Sequence, residues 1–195
     1  MVYTVSKFIF WLICKIWFRM DASGVENIPK KGSFIVACNH ISYLDPAVVG
    51  SNVPRKLNFM AKEELFSTTF SSWWMRSVGC VPVKRDSNDF GSLREAMRRL
   101  QAGGGLFLFP EGRRQQSSAE LPQPQAGIGF LASKLNVPVV PAFVKGTDRA
   151  MPKAARSFMP EKVFVRFGEQ IHIEKTMPYE EAATLIMKKI RYLAC

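Results

Sequence analysis

The hydrophobic and polar residues of this chain follow two alternating patterns. Short runs rich in β-branched and aromatic residues predict strands, and apolar residues that recur every three or four positions predict helices between them. The predicted strands are 33–38, 57–61, 80–84, 106–109, 137–144 and 162–167, and the helical stripes run from Phe90 to Leu100, from Ile128 to Leu135 and from Ile186 to Leu193. Strands that alternate with helices predict an α/β fold with a mixed, largely parallel sheet flanked by helices.

The first twenty residues have a pattern of their own. Lys7, Lys15 and Arg19 interrupt the apolar run of residues 2–20, so this run is not predicted to cross a membrane. A signal peptide is not predicted either, because no small-residue cleavage site precedes a predicted turn at residues 21–24. As a helix, the segment collects its polar residues in one narrow sector. We therefore predict an N-terminal amphipathic membrane-docking helix over residues 1–22 and a second domain over residues 23–195. The alternative is a terminal helix packed on the protein's own core.

The charge balance limits the classes of partner. The chain has 195 residues, enough for one domain with its own core, and carries 27 Lys and Arg against 16 Asp and Glu, a net charge of +11. Such an excess is typical of proteins that bind nucleic acid, anionic lipid or an acidic ligand. The basic residues are dispersed, without an RNA-recognition motif or a zinc finger, which disfavours nucleic acid. We predict a membrane surface or an acidic ligand as the partner.

The cysteines and histidines predict neither a disulfide nor a metal site. Cys14, Cys38, Cys80 and Cys195 are far apart and form no C-x-x-C pair, which predicts free thiols in a reducing compartment. The chain has only two histidines, so a structural zinc site is not expected.

A histidine and an aspartate follow the first predicted strand. His40 and Asp45 lie in the segment N-H-I-S-Y-L-D of residues 39–45, and ligands bind at the carboxyl ends of strands in α/β sheets. An imidazole there can take a proton from a hydroxyl near neutral pH while the carboxylate orients it. Taken alone, the segment is also explained as a helix cap, either a capping box from Ser42 to Asp45 or a cap by Asp45 itself.

Three other predicted strands end in cations. Arg114 follows residues 106–109 in the segment F-P-E-G-R-R of residues 109–114, Lys62 follows residues 57–61, and Arg85 follows residues 80–84. Arginine recognises phosphate through several hydrogen bonds at once. Each cation alone is explained as surface charge. Four such strand ends at one edge of a sheet would form a basic cleft that holds a single base.

Together these motifs resemble the glycerolipid acyltransferases of the bacterial 1-acyl-glycerol-3-phosphate (lysophosphatidic acid) type. The resemblance covers roughly residues 25 to 170. It consists of N-H-x-x-x-x-D at residues 39–45, K-x-E-L at 62–65, a glycine and β residues ending in arginine at 79–85, F-P-E-G at 109–112 with Arg114, and V-P-V-V-P at 137–141. Motifs in this order and spacing are far more specific than any one of them.

The resemblance implies a function and a set of roles. His40 is the general base and Asp45 its partner, and Lys62 and Arg114 hold the acceptor phosphate, with Arg85 as a further candidate. Glu111 and Gly112 shape the acceptor site. The implied reaction moves a fatty acyl chain from acyl-CoA or acyl carrier protein to the sn-2 hydroxyl of 1-acyl-glycerol-3-phosphate, without a cofactor, and gives phosphatidic acid. The implied location is the cytoplasmic face of the cell membrane, peripheral or monotopic.

Three positions depart from the family motif. Arg113 replaces a threonine, Gln115 replaces a serine, and Gln125 stands where a basic residue is common. Because all three lie near the phosphate-binding loop, the acceptor headgroup stays open: another lysophospholipid or a lyso-ornithine lipid is the alternative. A non-catalytic lipid-binding protein on the same fold is a second alternative. An esterase is disfavoured because no Gly-x-Ser-x-Gly surrounds Ser42.

Overall fold

Seven strands of the described chain form one sheet. The structure is a computed structural model and describes residues 1–83, 90–115, 123–152 and 158–194. The strands are β1 (Asp21–Ser23), β2 (Phe34–Cys38), β3 (Leu57–Lys62), β4 (Cys80–Val83), β5 (Gly105–Leu108), β6 (Val139–Lys145) and β7 (Phe164–Phe167). Their order across the sheet is β1-β7-β6-β2-β5-β3-β4.

Most neighbouring strands of the sheet are parallel. The strands β6, β2, β5, β3 and β4 run in one direction, whereas β7 is antiparallel to β6 and β1 is parallel to β7. This arrangement confirms the predicted α/β fold with a mixed, largely parallel sheet. Strand β2 lies in the middle and all five of its residues are buried, because parallel sheets are covered by helices on both faces.

Helices cover both faces of the sheet. They are α1 (Val2–Trp17), α2 (Asp45–Asn52), α3 (Thr69–Ser77), α4 (Phe90–Gln101), α5 (Gly127–Leu135), α6 (Thr147–Ala150) and α7 (Tyr179–Tyr192), with short 3₁₀ helices at Val25–Asn27 and Glu63–Phe66. Successive residues of β2 point to opposite faces. Val36 packs with α1 and α2 on one face, and Ile35 packs with α4, α5 and α7 on the other.

Besides α6 and the two 3₁₀ helices, which were not predicted, two elements differ from the sequence prediction. The turn predicted at residues 21–24 is wrong for its first three residues, because Asp21–Ser23 forms β1 and pairs with β7. A three-residue strand depends on a partner far along the chain, which no local pattern carries. Helix α3 was not predicted. It begins at a capping box of Thr68 and Ser71. None of its residues is buried, so its sequence lacks the regular apolar stripe that predicts a helix packed on a core.

The inner side of α1 packs on the domain. Cys14 lies in the same core cluster as Val36, and the hydroxyl of Tyr3 accepts a hydrogen bond from the backbone N–H of Leu57. Lys7 was grouped with the polar sector of an interfacial helix. Instead, its ammonium donates to the carbonyl of Val53, and burial lowers its pKa. The predicted polar sector is therefore wrong for Lys7, which faces the protein.

The opposite side of α1 is apolar and exposed. We call it the outer face of α1. It consists of Val5, Phe8, Ile9, Leu12, Ile13, Ile16 and Trp17. Within the described ranges, no helix combines the length and the apolar character that crossing a bilayer requires. Docking of residues 1–22 on a membrane stays a prediction.

Candidate active site

The carboxyl ends of five parallel strands meet at one edge of the sheet. Strand β2 leads into His40, β5 into Glu111, β3 ends at Lys62 and β6 leads into Thr147. The fifth strand, β4, leads towards Arg85, which lies outside the described residues. Parallel strands place their carboxyl ends together, and ligands of α/β proteins bind there.

His40 is held on two sides. Its Nδ1 lies 2.9 Å from Oδ2 of Asp45, which is fully buried, and the His40 residue is 5% exposed. The ring of Phe109 stacks on the imidazole with centroids 3.7 Å apart and planes inclined by 11°. A carboxylate at Nδ1 sets the tautomer that leaves Nε2 able to accept a proton. This geometry is that of an oriented general base.

The carboxylate of Asp45 accepts hydrogen bonds from four groups. Its Oδ2 receives the backbone N–H groups of Ile41 at 2.7 Å and Ser42 at 2.8 Å in addition to His40, and its Oδ1 receives the hydroxyl of Thr147 at 2.6 Å. A carboxylate has about four acceptor sites, so Asp45 makes as many bonds as such a group ordinarily accepts. These bonds fix the turn that carries His40.

Both capping hypotheses for this segment are wrong in detail. Helix α2 begins at Asp45 itself, and Leu44 occupies the cap position without a side-chain bond. The hydroxyl of Ser42 accepts the N–H of Leu44 at 3.3 Å. Ser42 thus supports the turn locally, while the carboxylate of Asp45 is directed at His40 and the preceding backbone.

Two contacts tie β6 to this turn. The side-chain amide of Asn39 donates to the carbonyl of Val144 at 2.9 Å and accepts the N–H of Val144 at 2.8 Å. Gly146, with φ of +90°, then turns the chain so that the buried Thr147 reaches Asp45. Sequence analysis missed Thr147. The signal in the sequence was a small polar residue three positions after the predicted strand 137–144, a place in the chain similar to those of the predicted site residues at four other strand ends.

Glu111 joins the third motif to the first. Its Oε2 accepts the backbone N–H of His40 at 3.1 Å, and the carbonyl of His40 accepts the N–H of Gln115 at 2.8 Å. Glu111 is 7% exposed. Burial raises the pKa of its carboxyl to about 7, and the charge of Asp45 acts in the same direction. The Glu111 carboxyl, which is bonded to the backbone N–H of the candidate base, therefore gains or loses its proton near neutral pH.

Gly112 has a backbone conformation that favours glycine. Its φ is +67°, and a Cβ at this position would lie 2.1 Å from Nε2 of Gln125. The N–H of Gly112 donates to the carbonyl of Phe109 at 3.0 Å and closes the turn after β5. Glycine adopts this φ without strain, whereas the flexible end of the Gln125 side chain could move away from an added Cβ. Gln125, one of the three departures from the family motif, thus lies directly on the loop that the resemblance assigns to phosphate binding.

The two predicted phosphate ligands within the described residues occupy different places. The guanidinium of Arg114 stacks over the ring of Tyr43, 3.9 Å from its centroid, beside the His40 turn. Lys62 is exposed at the end of β3. The register aligns Val36 with Phe107 and Phe107 with Phe59. Lys62 is thus level with Asn39, the residue before His40. The two residues are separated by two strand spacings, which is about 10 Å.

Three of the predicted site residues are linked by direct contacts: His40, Asp45 and Glu111. Arg114 and Lys62 lie along the same sheet edge, and Gly112 lies in the loop between Glu111 and Arg114. Among the described residues, no group of three or more His, Cys, Asp or Glu side chains converges to hold a metal ion.

Comparison with known proteins identifies the family. The model of the Acyltransferase family matches residues 19–145, which contain His40, Asp45, Glu111 and Arg114 but not Thr147. This chain belongs to the Acyltransferase family. The match confirms the resemblance inferred from the motifs. The motifs at residues 39–45 and 109–114 follow the carboxyl ends of β2 and β5, whereas V-P-V-V-P at residues 137–141 lies at the start of β6.

The chain is similar to known acyltransferases in fold and, at 27–29% identity, in sequence. The crystal structure of the 1-acyl-sn-glycerophosphate acyltransferase PlsC from Thermotoga maritima superposes with a TM-score of 0.74 and 27% identity, over 98% of this chain and 82% of that one. The 1-acyl-sn-glycerol-3-phosphate acyltransferase of Bacillus subtilis is 27% identical over 75% of this chain and 71% of its own length. The chloroplastic enzyme of Brassica napus is 29% identical over 75% of this chain, which spans 45% of that protein.

Proposed function

We propose that this acyltransferase moves a fatty acyl chain from an acyl thioester to the sn-2 hydroxyl of 1-acyl-glycerol-3-phosphate and forms phosphatidic acid. The observation that carries the proposal is the buried His40–Asp45 pair, 2.9 Å apart at the carboxyl edge of the sheet. The acceptor is supported by similarity to the acyltransferases of Thermotoga maritima and Bacillus subtilis, which are named for 1-acyl-sn-glycerophosphate and 1-acyl-sn-glycerol-3-phosphate. Acyl-CoA or acyl carrier protein is the proposed donor, and no further cofactor takes part.

The proposed chemistry is direct transfer. Nε2 of His40 takes the proton of the acceptor hydroxyl while its oxygen attacks the thioester carbonyl, and Asp45 stabilises the imidazolium that forms. The tetrahedral intermediate then expels the thiolate, which takes the proton back from His40. The new ester bond replaces the thioester bond, and free thiol leaves. No covalent bond to the enzyme forms.

The proposed acceptor site lies between the His40 turn and the loop after β5. Arg114 and Lys62, with Arg85 as a further candidate, neutralise the phosphate, and Glu111 and Gly112 shape the wall of the site. The position of Arg114 supports this proposal, because its guanidinium stacks on Tyr43, which lies three residues after His40. A guanidinium can bind two phosphate oxygens at once.

We propose that the outer face of α1 docks this enzyme on the cytoplasmic face of the cell membrane. Seven large apolar side chains form this face, and the inner side of the same helix is anchored in the core. A helix that lies in the bilayer interface has this character. A peripheral or monotopic position would bring the site to its lipid acceptor. The net charge of +11 favours a surface of anionic lipid.

One observation favours a second candidate acceptor. Gln125 contacts the glycine of the phosphate-binding loop with a neutral amide, where the family commonly has a cation. A less basic site would suit another lysophospholipid or a lyso-ornithine lipid. A non-catalytic lipid-binding role is disfavoured, because the His40–Asp45 pair is complete.

The test is a panel of acceptors and donors. The protein is incubated with lysophosphatidic acid, other lysophospholipids and lyso-ornithine lipid, each with acyl-CoA and with acyl carrier protein, and thiol release is measured. His40→Ala should remove most turnover, by ~10²–10⁴-fold. His172→Ala is the control, because it is the other histidine and is exposed. Equal turnover of His40→Ala and His172→Ala would refute the mechanism. A preference for an acceptor without a terminal phosphate would refute the proposed substrate.

A further inference from the structure

Helix α3 carries aromatic side chains that the core does not cover. None of its nine residues is buried, yet three of them are Phe70, Trp73 and Trp74. Phe70 is 73% exposed and Trp73 is 54% exposed, and their ring centroids are 6.0 Å apart. Large apolar side chains gain stability when they leave water, and a cluster of exposed ones marks a contact surface. Among the described residues, none covers the rings of Phe70 and Trp73, which leaves them available for a contact outside the chain.

Helix α3 lies against one flank of α1. Phe10 of α1 and Trp74 of α3 contact each other with ring centroids 6.3 Å apart. An α-helix turns by about 100° per residue, so Phe10 borders the outer face of α1 next to Trp17. The exposed Lys15 borders that face on the other side. The apolar surface of α1 thus meets a charged residue on one flank and the aromatic side chains of α3 on the other.

We propose that α3 is a second lipid-contact element, so that one bilayer covers the outer face of α1 together with Phe70 and Trp73. The inference rests on the proposed membrane docking through α1. Helix α3 has no acidic residue, and its last turn carries Arg76, whose guanidinium lies 5.6 Å from the ring centroid of Phe66. Aromatic rings with a cation at their border match the interface of an anionic bilayer, where rings lie at headgroup depth.

This second contact would orient the active site. A single helix with one face in the bilayer still lets the protein rock about the helix axis. Helix α3 is joined through Glu63–Phe66 to Lys62, at the carboxyl end of β3, and leads into Cys80 at the start of β4. It therefore runs from the catalytic edge of the sheet towards the opposite edge. Lipid contact through both α1 and α3 would hold the catalytic edge in one orientation towards the bilayer.

The test compares two exposed aromatic sites of similar exposure. The variant Phe70→Gln/Trp73→Gln keeps good helix-forming residues and removes the rings. Tyr192→Gln is the control, because Tyr192 is 68% exposed on α7, which packs on the other face of the sheet. Binding to phosphatidylglycerol vesicles is measured by sedimentation. The double variant should bind roughly tenfold or more weakly, and the control should bind like the wild type. Turnover of detergent-dispersed acceptor should change little in both.

A variant of α1 separates this inference from the proposed docking. If Phe8→Gln/Ile16→Gln weakens vesicle binding and Phe70→Gln/Trp73→Gln does not, α3 does not contact lipid and the docking through α1 stands. If neither variant weakens binding, both ideas fail. Vesicle binding does not require turnover. An inactive wild-type protein would therefore overturn the proposed reaction, while the vesicle measurements would still test whether α3 contacts lipid.

Two further measurements keep the inference refutable. Amide hydrogen exchange of the unmodified protein should slow over residues 69–77 when phosphatidylglycerol vesicles are added, and unchanged exchange would overturn the inference even if the double variant failed to fold. Analytical ultracentrifugation without lipid should give the same mass for the wild type and the double variant. A wild-type dimer that the double variant dissociates would show that a second copy, and not a bilayer, covers α3.

Discussion

Replacing Glu111 by glutamine should stabilise the protein at alkaline pH and impair catalysis. Burial raises the pKa of the Glu111 carboxyl to about 7 from the ordinary value of 4.5. Between these two pH values the folded state holds a proton that the unfolded chain has already released. Stability therefore falls as the pH rises from about 4.5 to about 7 and stays lower above that range. Glutamine carries no charge, so Glu111→Gln escapes this loss.

The size of the effect follows from the difference in pKa. A difference of about 2.5 pKa units corresponds to on the order of 3 kcal/mol, and we take this as an upper limit because the carboxyl is not completely sealed from water. The glutamine carbonyl can still accept the N–H of His40, so the bond to the catalytic turn is kept. The gain over wild type should be close to zero near pH 4.5 and about 1–3 kcal/mol at pH 8.

Urea denaturation at pH 5 and pH 8 measures the effect, with Glu169→Gln as the control for an exposed carboxylate. Turnover of Glu111→Gln should fall at pH 8 despite the higher stability, because Glu111 is proposed to shape the acceptor site. An equal pH dependence of stability in wild type and Glu111→Gln would refute the argument from burial. Stabilisation with unchanged kcat/KM would leave Glu111 a structural residue.

Further changes test the contacts around the base and the acceptor. Asp45→Asn should melt near the wild-type temperature, because the asparagine oxygen can still accept the N–H groups of Ile41 and Ser42 and its amide can donate to the hydroxyl of Thr147. It should lose turnover by orders of magnitude, because a neutral amide cannot stabilise the imidazolium; unchanged turnover would make Asp45 structural. Thr147→Val leaves Oδ1 of Asp45 without its donor and should lower kcat about tenfold or more. Thr147→Ser should restore kcat. Ser51→Ala, which removes a buried hydroxyl from α2, should leave kcat unchanged. Arg114→Lys and Lys62→Gln should raise the KM for the phosphorylated acceptor more than that for the donor, since lysine cannot replace a bidentate guanidinium; equal changes in both KM values would contradict the assignment.

Local features of the sequence determined most of the secondary structure and the chemical residues. The apolar run of residues 34–38, the stripe from Phe90 to Leu100 and the glycines that follow it predicted β2 and α4 within one or two residues. These signals are local because strands and helices repeat every two or 3.6 residues. The spacing of His40 and Asp45, with Glu111 and Gly112 in the later motif, identified the family that the comparison confirms.

Only the tertiary structure could place residues whose role depends on a distant partner. Asp21–Ser23 is a strand because it pairs with β7, and Lys7 faces inward because the carbonyl of Val53 is there to accept its hydrogen bond. Thr147 reaches Asp45 across 102 positions of the chain.

In the active site, too, some features follow from the local sequence and others only from the tertiary structure. The sequence determined which side chains carry the chemistry, because their types and spacing are local properties. The packing of β2, β5 and β6 side by side decided that Phe109 stacks on His40, that Glu111 accepts its N–H and that burial shifts the pKa of Glu111. These features come from long-range contacts and from the exclusion of water, which exist only once the sheet has formed.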